Sequence, residues 1–189
     1  MCQYSEIQYN SPFIGLFFFA PDYIKLLQHI ELVYKPFSFL NRKESKYINR
    51  LESKKYPIGY WAEYDIEIHF LHYRSEEECI EKWNRRLQRL NFDNLIVKFC
   101  DRDMCSESLI KTFEKLPYTN KVCFTSKPYP QCKSVVWLNE QKEMAEVQSC
   151  WLISDKYYNF VKHANDILHY KTSLAARLLL NLAAHIKCS

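Results

Sequence analysis

With 189 residues, 48% hydrophobic and 16% aromatic, the chain is long enough to bury its own core and too apolar for global disorder. The 26 basic and 22 acidic residues give a net charge of +4, mild and interspersed, so nucleic acid is not an expected partner; its binders carry a concentrated basic stripe. Two glycines, Gly15 and Gly59, are too few for the glycine-rich loops that cradle dinucleotides or ATP.

Phe13-Ile14-Gly15-Leu16-Phe17-Phe18-Phe19 is a continuous apolar run, expected as a strand buried on both faces. Ala20-Pro21-Asp22 opens a helix, since proline suits the first turn and aspartate the positive end of the dipole; Tyr23, Leu27, Ile30 and Tyr34 form its apolar face. Residues 41–55 are polar and basic, a connection or an exposed helix. From Asp65 to Tyr73 the pattern alternates, with Ile66, Ile68 and Phe70 on one side and Asp65, Glu67 and His69 on the other. Ser75 caps the next helix, which starts with Glu76-Glu77-Glu78, ends with Arg85, Arg86 and Arg89, and buries Ile80, Trp83, Leu87 and Leu90.

Leu95-Ile96-Val97-Lys98-Phe99 is a third strand, followed by Asp101-Arg102-Asp103 and a helix capped by Ser106, with Leu109, Ile110, Phe113 and Leu116 inward and Pro117 ending it. Lys121 to Thr125 is a fourth strand, followed by Ser126-Lys127-Pro128-Tyr129-Pro130. Ser134 to Leu138 is a fifth, expected antiparallel to the fourth because the connection is short. Helical spacing returns from Asp155 to His169. Thr172–Lys187 is a Leu/Ala-rich helix of about four turns, too short to span a bilayer and interrupted by Arg177. Strands alternating with helices imply one α/β domain over residues 1–170, mostly parallel and Rossmann-like, with helices on both faces of the sheet. The tail, 171–189, is expected to pack on the domain or on a second copy as a homodimer; resting on a membrane surface is the other reading.

Eight cysteines could suggest a disulfide framework. However, Met1-Cys2-Gln3-Tyr4 shows no leader pattern, no Asn-x-Ser/Thr sequon occurs, and Cys79, Cys100 and Cys123 lie in apolar periodic segments. Reduced thiols and a cytoplasmic location are expected. No Cys-x-x-Cys pair marks zinc, and no Gly-x-Ser-x-Gly elbow marks a serine nucleophile.

In a parallel sheet ligands collect beyond the carboxyl ends of the strands. Those places hold Asp22, then Tyr73 with Arg74 and Ser75, then Asp101, Arg102 and Asp103, then Ser126, Lys127 and Tyr129. Asp101 and Asp103 face one side of an extended segment. They can share a divalent cation, Mg²⁺ or Mn²⁺, that neutralises a nucleotide-sugar pyrophosphate, or they can form an Asx-type turn at the following helix. Glu67 and His69, with Asp65, suit an acid–base pair or a metal site, or a helix-covered face with internal hydrogen bonds. His69 and His72 point to opposite faces and cannot grip one ion together. Arg85 and Arg86 either fork a phosphate or merely complement the helix dipole.

Several stretches form a recognisable set: Ser11 to Phe18, Tyr56-Pro57-Ile58-Gly59, Asp65 to Tyr73, Glu81-Lys82-Trp83-Asn84-Arg85-Arg86, Leu95 to Asp103, and Lys127-Pro128-Tyr129-Pro130. Over residues 9–163 they resemble a bacterial domain-of-unknown-function family described as exopolysaccharide, or surface polysaccharide, biosynthesis proteins. The family supplies no catalytic residues to carry over. The resemblance also implies an additional N-terminal segment with an Asn-Cys-Trp-Gly-Gly-like turn, just before this chain begins, that contributes a central strand and part of the site. The Ala/Leu tail after Lys171 is not a feature of the family.

The expected function is a transferase of exopolysaccharide or capsule assembly acting on an activated sugar. Asp101, Asp103, Glu67 and His69 would be its catalytic candidates, with Asp101 and Asp103 as metal ligands. Arg85, Arg86, Lys127, Tyr73 and Asp22 would bind a nucleotide-sugar or glycan. The rival reading is a non-catalytic partner of the polysaccharide machinery that docks through exposed aromatics.

Overall fold

The structure, a computed structural model, describes residues 11–51 and 53–159. The tail expected as a helix over Thr172–Lys187 lies outside the described residues, as does most of the stretch Asp155–His169. The described chain divides into two compact units at the Leu90/Asn91 boundary. Both mix α and β structure, the first around an antiparallel sheet and the second around a parallel one.

In the first unit the apolar run 13–19 is not a full strand. Gly15 takes φ +76°, a left-handed conformation open to glycine, and the chain turns there before Phe17 makes one antiparallel bridge to His69. Phe19 then leads into helix α1, Ala20–Gln28, with Pro21 and Asp22 in its first turn. Its buried residues are Ala20, Asp22, Ile24, Leu26 and Leu27, whereas Tyr34, beyond its end, is 58% exposed. Of the expected face Leu27 is buried, Tyr23 and Ile30 are partly buried, and Ile24, Leu26 and Asp22 complete the inward side.

Strands β1 (Ser38–Leu40), β2 (Ile58–Trp61) and β3 (Ile66–His69) pair antiparallel in that order. Between β2 and β3 only the 3-10 turn Ala62–Tyr64 and a left-handed Asp65 intervene, a connection too short for a parallel crossover. All four residues of β3 are buried, so its polar side is covered rather than solvated. Helix α2, Glu76–Leu87, is capped by Ser75, whose Oγ accepts the Glu78 N–H at 3.2 Å. It buries Cys79 and Trp83, and Ile80 is 46% exposed in place of the expected inward packing. Trp83 packs edge-on against Phe13, Phe37, Trp61 and Phe70, and its indole N–H reaches the Val33 carbonyl at 3.2 Å. Buried aromatics placed this way supply large apolar area and keep the one polar atom satisfied.

The second unit has strands β4 (Val97–Cys100), β5 (Lys121–Thr125) and β6 (Val135–Trp137), all parallel, with β5 in the middle. The fifth predicted strand is thus parallel to the fourth. Residues 126–134 run back along the sheet, turning where the Cys132 N–H donates to the Tyr129 carbonyl, so no helix is needed for the crossover. Helix α3, Glu107–Lys115, is capped by Ser106, and its Phe113 stacks on Phe99 of β4 at 5.2 Å. Helix α4, Cys150–Tyr157, starts earlier than the expected Asp155.

Candidate functional site

Helix α1, strand β3 and the segment 45–47 bring Asp22, Glu67 and His69 into one buried polar cluster of the first unit. Asp22 accepts the Glu67 backbone N–H at 2.8 Å and the Lys46 ammonium at 2.9 Å. Glu67 accepts the Ser45 hydroxyl at 2.6 Å and the Lys46 backbone N–H at 2.7 Å. Lys46 also reaches Asp65, through the carbonyl and at 3.1 Å through the carboxylate, and burial followed by the negative charge of Asp22 raises the Tyr47 hydroxyl well above its ordinary value. Burial opposes the Lys46 charge, but hydrogen bonding and charge from Asp22 and then Asp65 more than offset it, keeping the ammonium above its ordinary range. Burial lifts the Glu67 carboxyl above the usual range, against the pull of Ser45 and Lys46.

His69 is caged by Phe17, Phe19, Tyr47 and Tyr56. Burial, then the positive charges of Arg42 and Lys46, bring its pKa down to about 4. Its Nε2 stands 3.4 Å from Glu67, yet neither ring nitrogen makes a hydrogen bond among the described residues. With the imidazole brought down to about 4, the ring is neutral near neutral pH and that contact is not an ion pair there. Asp22 and His69 are 0% exposed and Glu67 1%, so in this structure these candidate catalytic and binding residues are enclosed by their own chain.

Tyr73 and Arg86 also come together, but on each other. The Arg86 guanidinium donates to the Tyr73 hydroxyl at 2.6 Å and to the Ile14 carbonyl at 2.9 Å, and Tyr73 donates to the same carbonyl at 2.7 Å. This clasp pins the turn at Gly15 and engages Arg86 Nη1 and the Tyr73 hydroxyl, both on residues expected to bind substrate. Arg85 is exposed and pairs with Glu81 one helical turn away. Elsewhere in the unit, an open apolar groove of about 260 Å³ is lined by Val33, Tyr34, Phe37, Ile80, Trp83 and Leu87.

In the second unit the carboxyl ends of β4 and β5 hold Asp101, Arg102, Asp103, Ser126 and Lys127. Asp101 is a clasp: one carboxylate oxygen accepts the Ser126 N–H at 2.6 Å and hydroxyl at 2.9 Å, and the other accepts the Val147 N–H at 2.7 Å. Asp103 and Met104 both have positive φ, 58° and 69°, and the Asp103 N–H donates to Glu146 at 3.1 Å. Burial raises the Asp103 carboxyl, with Arg102 opposing and Glu146 adding to the rise. Arg102 Nε is buried without a hydrogen-bond partner among the described residues, 3.9 Å from the Asp103 carboxylate. Lys127, exposed, donates to the Lys142 carbonyl.

In this structure donors of the chain itself occupy Asp101 of the Asp-x-Asp pair. Three donors already engage Asp101, and among the described residues no group of three or more His, Cys, Asp or Glu is placed to hold a metal. Lys46, Ser45 and Tyr47 were hidden from sequence reasoning inside a stretch that looks like a plain basic linker. Arg102 was visible as one of the polar residues beyond the third predicted strand, without a role of its own.

The chain belongs to the family described as Domain of unknown function (DUF1919), which matches residues 1–171. An uncharacterized protein of Haemophilus influenzae strain Rd is 37% identical to it over 156 residues, covering 80% of this chain and 70% of that protein. No helix among the described residues is long and apolar enough to cross a membrane.

Proposed function

We propose that this member of the DUF1919 family is a cytoplasmic transferase acting on an activated sugar in exopolysaccharide or capsule assembly, with its site at the carboxyl ends of β4 and β5. One observation carries the reading: Arg102 Nε is a buried donor without a hydrogen-bond partner among the described residues, beside the partly buried carboxyl of Asp103. A buried unpaired donor is costly unless a ligand completes it, and a guanidinium fork matches phosphate oxygens. We read the parallel unit as part of a Rossmann-like sheet, where anionic ligands lie beyond the strand ends.

In this mechanism Arg102, with Lys127 from the neighbouring strand end, meets the diphosphate of the sugar donor. Asp103 accepts the proton of the acceptor hydroxyl as that oxygen attacks the anomeric carbon and the nucleoside diphosphate leaves. Asp101 holds the two loops in register and touches no substrate. The residues do not fit a divalent cation, so no step runs through one.

The test is thermal unfolding with a panel of nucleotide-sugars. At least one should raise Tm, and Arg102→Ala should weaken that ligand by about 10-fold or more, the scale of a charge-assisted hydrogen bond. Asp103→Asn should retain binding and lose transfer to an acceptor glycan. A panel without any shift, or a real shift untouched by Arg102→Ala, removes this site assignment.

A second reading, a non-catalytic partner of the polysaccharide machinery, is supported by the groove beside Trp83, whose exposed Tyr34 and Ile80 suit an interface better than a reaction. Under that reading the Ile80→Glu variant loses a partner subunit while nucleotide-sugars remain without effect.

A further inference from the structure

Charge is not spread evenly along the chain. Residues 41–55, which join β1 to β2, hold six of the 26 basic residues and two of the 22 acidic ones. The other 20 and 20 cancel, so the whole net charge of +4 resides in this strap. The fold fixes its inward side. Ser45 and Tyr47 are buried, the Tyr47 ring stacks on Phe19 at 3.9 Å, and the Lys46 N–H donates to Glu67 at 2.7 Å. The Lys46 ammonium is matched by Asp22 at 2.9 Å and Asp65 at 3.1 Å. The Glu44 carboxylate turns back on the strap and accepts the Asn41 N–H at 3.0 Å. Arg42 Nη1 donates to the Lys54 carbonyl at 3.2 Å, which ties the two ends of the strap together.

The outward side carries one apolar residue among cations. Lys43, Arg50, Lys54 and Lys55 are exposed and make no ion pair among the described residues. Ile48, which opens the short 3-10 turn Ile48–Arg50, is 40% exposed.

We propose that this strap docks the first unit reversibly on an anionic lipid surface, with its four outward cations among the headgroups and Ile48 entering the interface.

The chemistry of the partner follows from what the strap presents. Each Lys or Arg near a negatively charged bilayer strengthens binding by about 5-fold, and an apolar residue that enters the headgroup boundary adds its own burial. Because the inward side is anchored by the fold, the backbone that carries these groups is already ordered before it meets the surface. Nucleic acid suits the strap less well. Its one aromatic residue, Tyr47, is buried, so no base can stack there. The proposal does not rest on the sugar-transfer reading, because its readout is attachment to lipid.

The experiment sediments the full chain with sucrose-loaded vesicles, either phosphatidylcholine alone or an equal mixture with phosphatidylglycerol. The protein should follow the mixed vesicles and ignore the neutral ones. Raising the salt to about 1 M, where the screening length falls to roughly 3 Å, should release it. These comparisons need no variant, so misfolding cannot imitate them. Arg50→Gln, Lys54→Gln and Lys55→Gln combined should weaken binding about 100-fold. Lys115→Gln, Lys133→Gln and Lys142→Gln combined remove the same charge from exposed positions of the second unit and should retain most of it. Ile48→Ser should weaken binding about 3-fold and keep its salt dependence. No binding to the mixed vesicles, equal losses in the two triple variants, or binding that survives high salt would overturn the proposal. So would an Ile48→Ser variant that binds like the wild type, or capture by polyuridylate without capture by the vesicles.

Discussion

Acidification should weaken the first unit through His69. The imidazole is wholly buried, and its pKa falls from an ordinary 6.5 to about 4, first because of burial and then because of Arg42 and Lys46. Between those values the unfolded chain binds a proton that the folded chain refuses, so stability rises with pH across the window and is lost as pH falls through it. A gap of roughly 2.5 pH units at about 1.4 kcal/mol each is on the order of 3 kcal/mol, a sizeable part of the stability of an ordinary domain. Glu67, 3.4 Å away, works in the opposite sense. Its raised carboxyl holds a proton in the fold that the unfolded chain has given up, so its contribution is full below about 4.5 and fades as pH rises. The effect of His69 must therefore be isolated by comparison with His69→Phe, which keeps an aromatic ring in the cage and removes the titration. Urea unfolding of both proteins from pH 7 to pH 4 should show the variant gaining on the wild type by about 3 kcal/mol as pH falls. Parallel curves, or a ring-proton titration of native His69 centred near 6.5, would refute the reasoning.

Two further perturbations test the packing. Asp101→Asn replaces one acceptor oxygen by a donor amide facing either Ser126 or Val147, leaving a backbone N–H unpaired, and should cost roughly 2–3 kcal/mol in urea unfolding. An unchanged midpoint would remove the clasp from the account. Gly59→Ala places a methyl 2.9 Å from the Phe37 ring and 3.0 Å from that of Phe70. It should cost about 1–3 kcal/mol by overpacking, read as a lower Tm, and a neutral result would mean the rings give way freely.

The helices were legible because their signals are local. Ser75 and Ser106 cap where the sequence places them, and Pro21 with Asp22 opens α1 as its chemistry requires. Strands β4 and β5 were legible as short apolar runs. Strands β1 and β2 were not: Ser38–Leu40 is only three residues long, and the pairing of Ile58–Trp61 with both neighbours is set by contacts distant in sequence. The antiparallel first sheet was lost with them. Alternation in Asp65–Tyr73 correctly placed Glu67 and His69 on one side of β3, but period two cannot tell a solvated face from a covered one. What decides is Asp22 on α1 and Lys46 from the preceding segment, which close over that face.

The same point separates the two units functionally. A carboxylate's role depends on how much of its hydrogen-bonding capacity the fold itself consumes, and sequence spacing contains no information about that. Asp22 meets Lys46 and the Glu67 N–H, Glu67 meets Ser45 and the Lys46 N–H, and Asp101 meets Ser126 and Val147, so each is occupied by its own chain. At the carboxyl end of β4 Arg102 Nε has no such hydrogen-bond partner among the described residues, and the Asp103 carboxyl beside it is lifted by burial. Unmet polar capacity near a strand end is what a ligand can complete, whereas saturated capacity resists one. This is why substitutions at Asp101 should be read in stability and substitutions at Arg102 and Asp103 in binding and turnover.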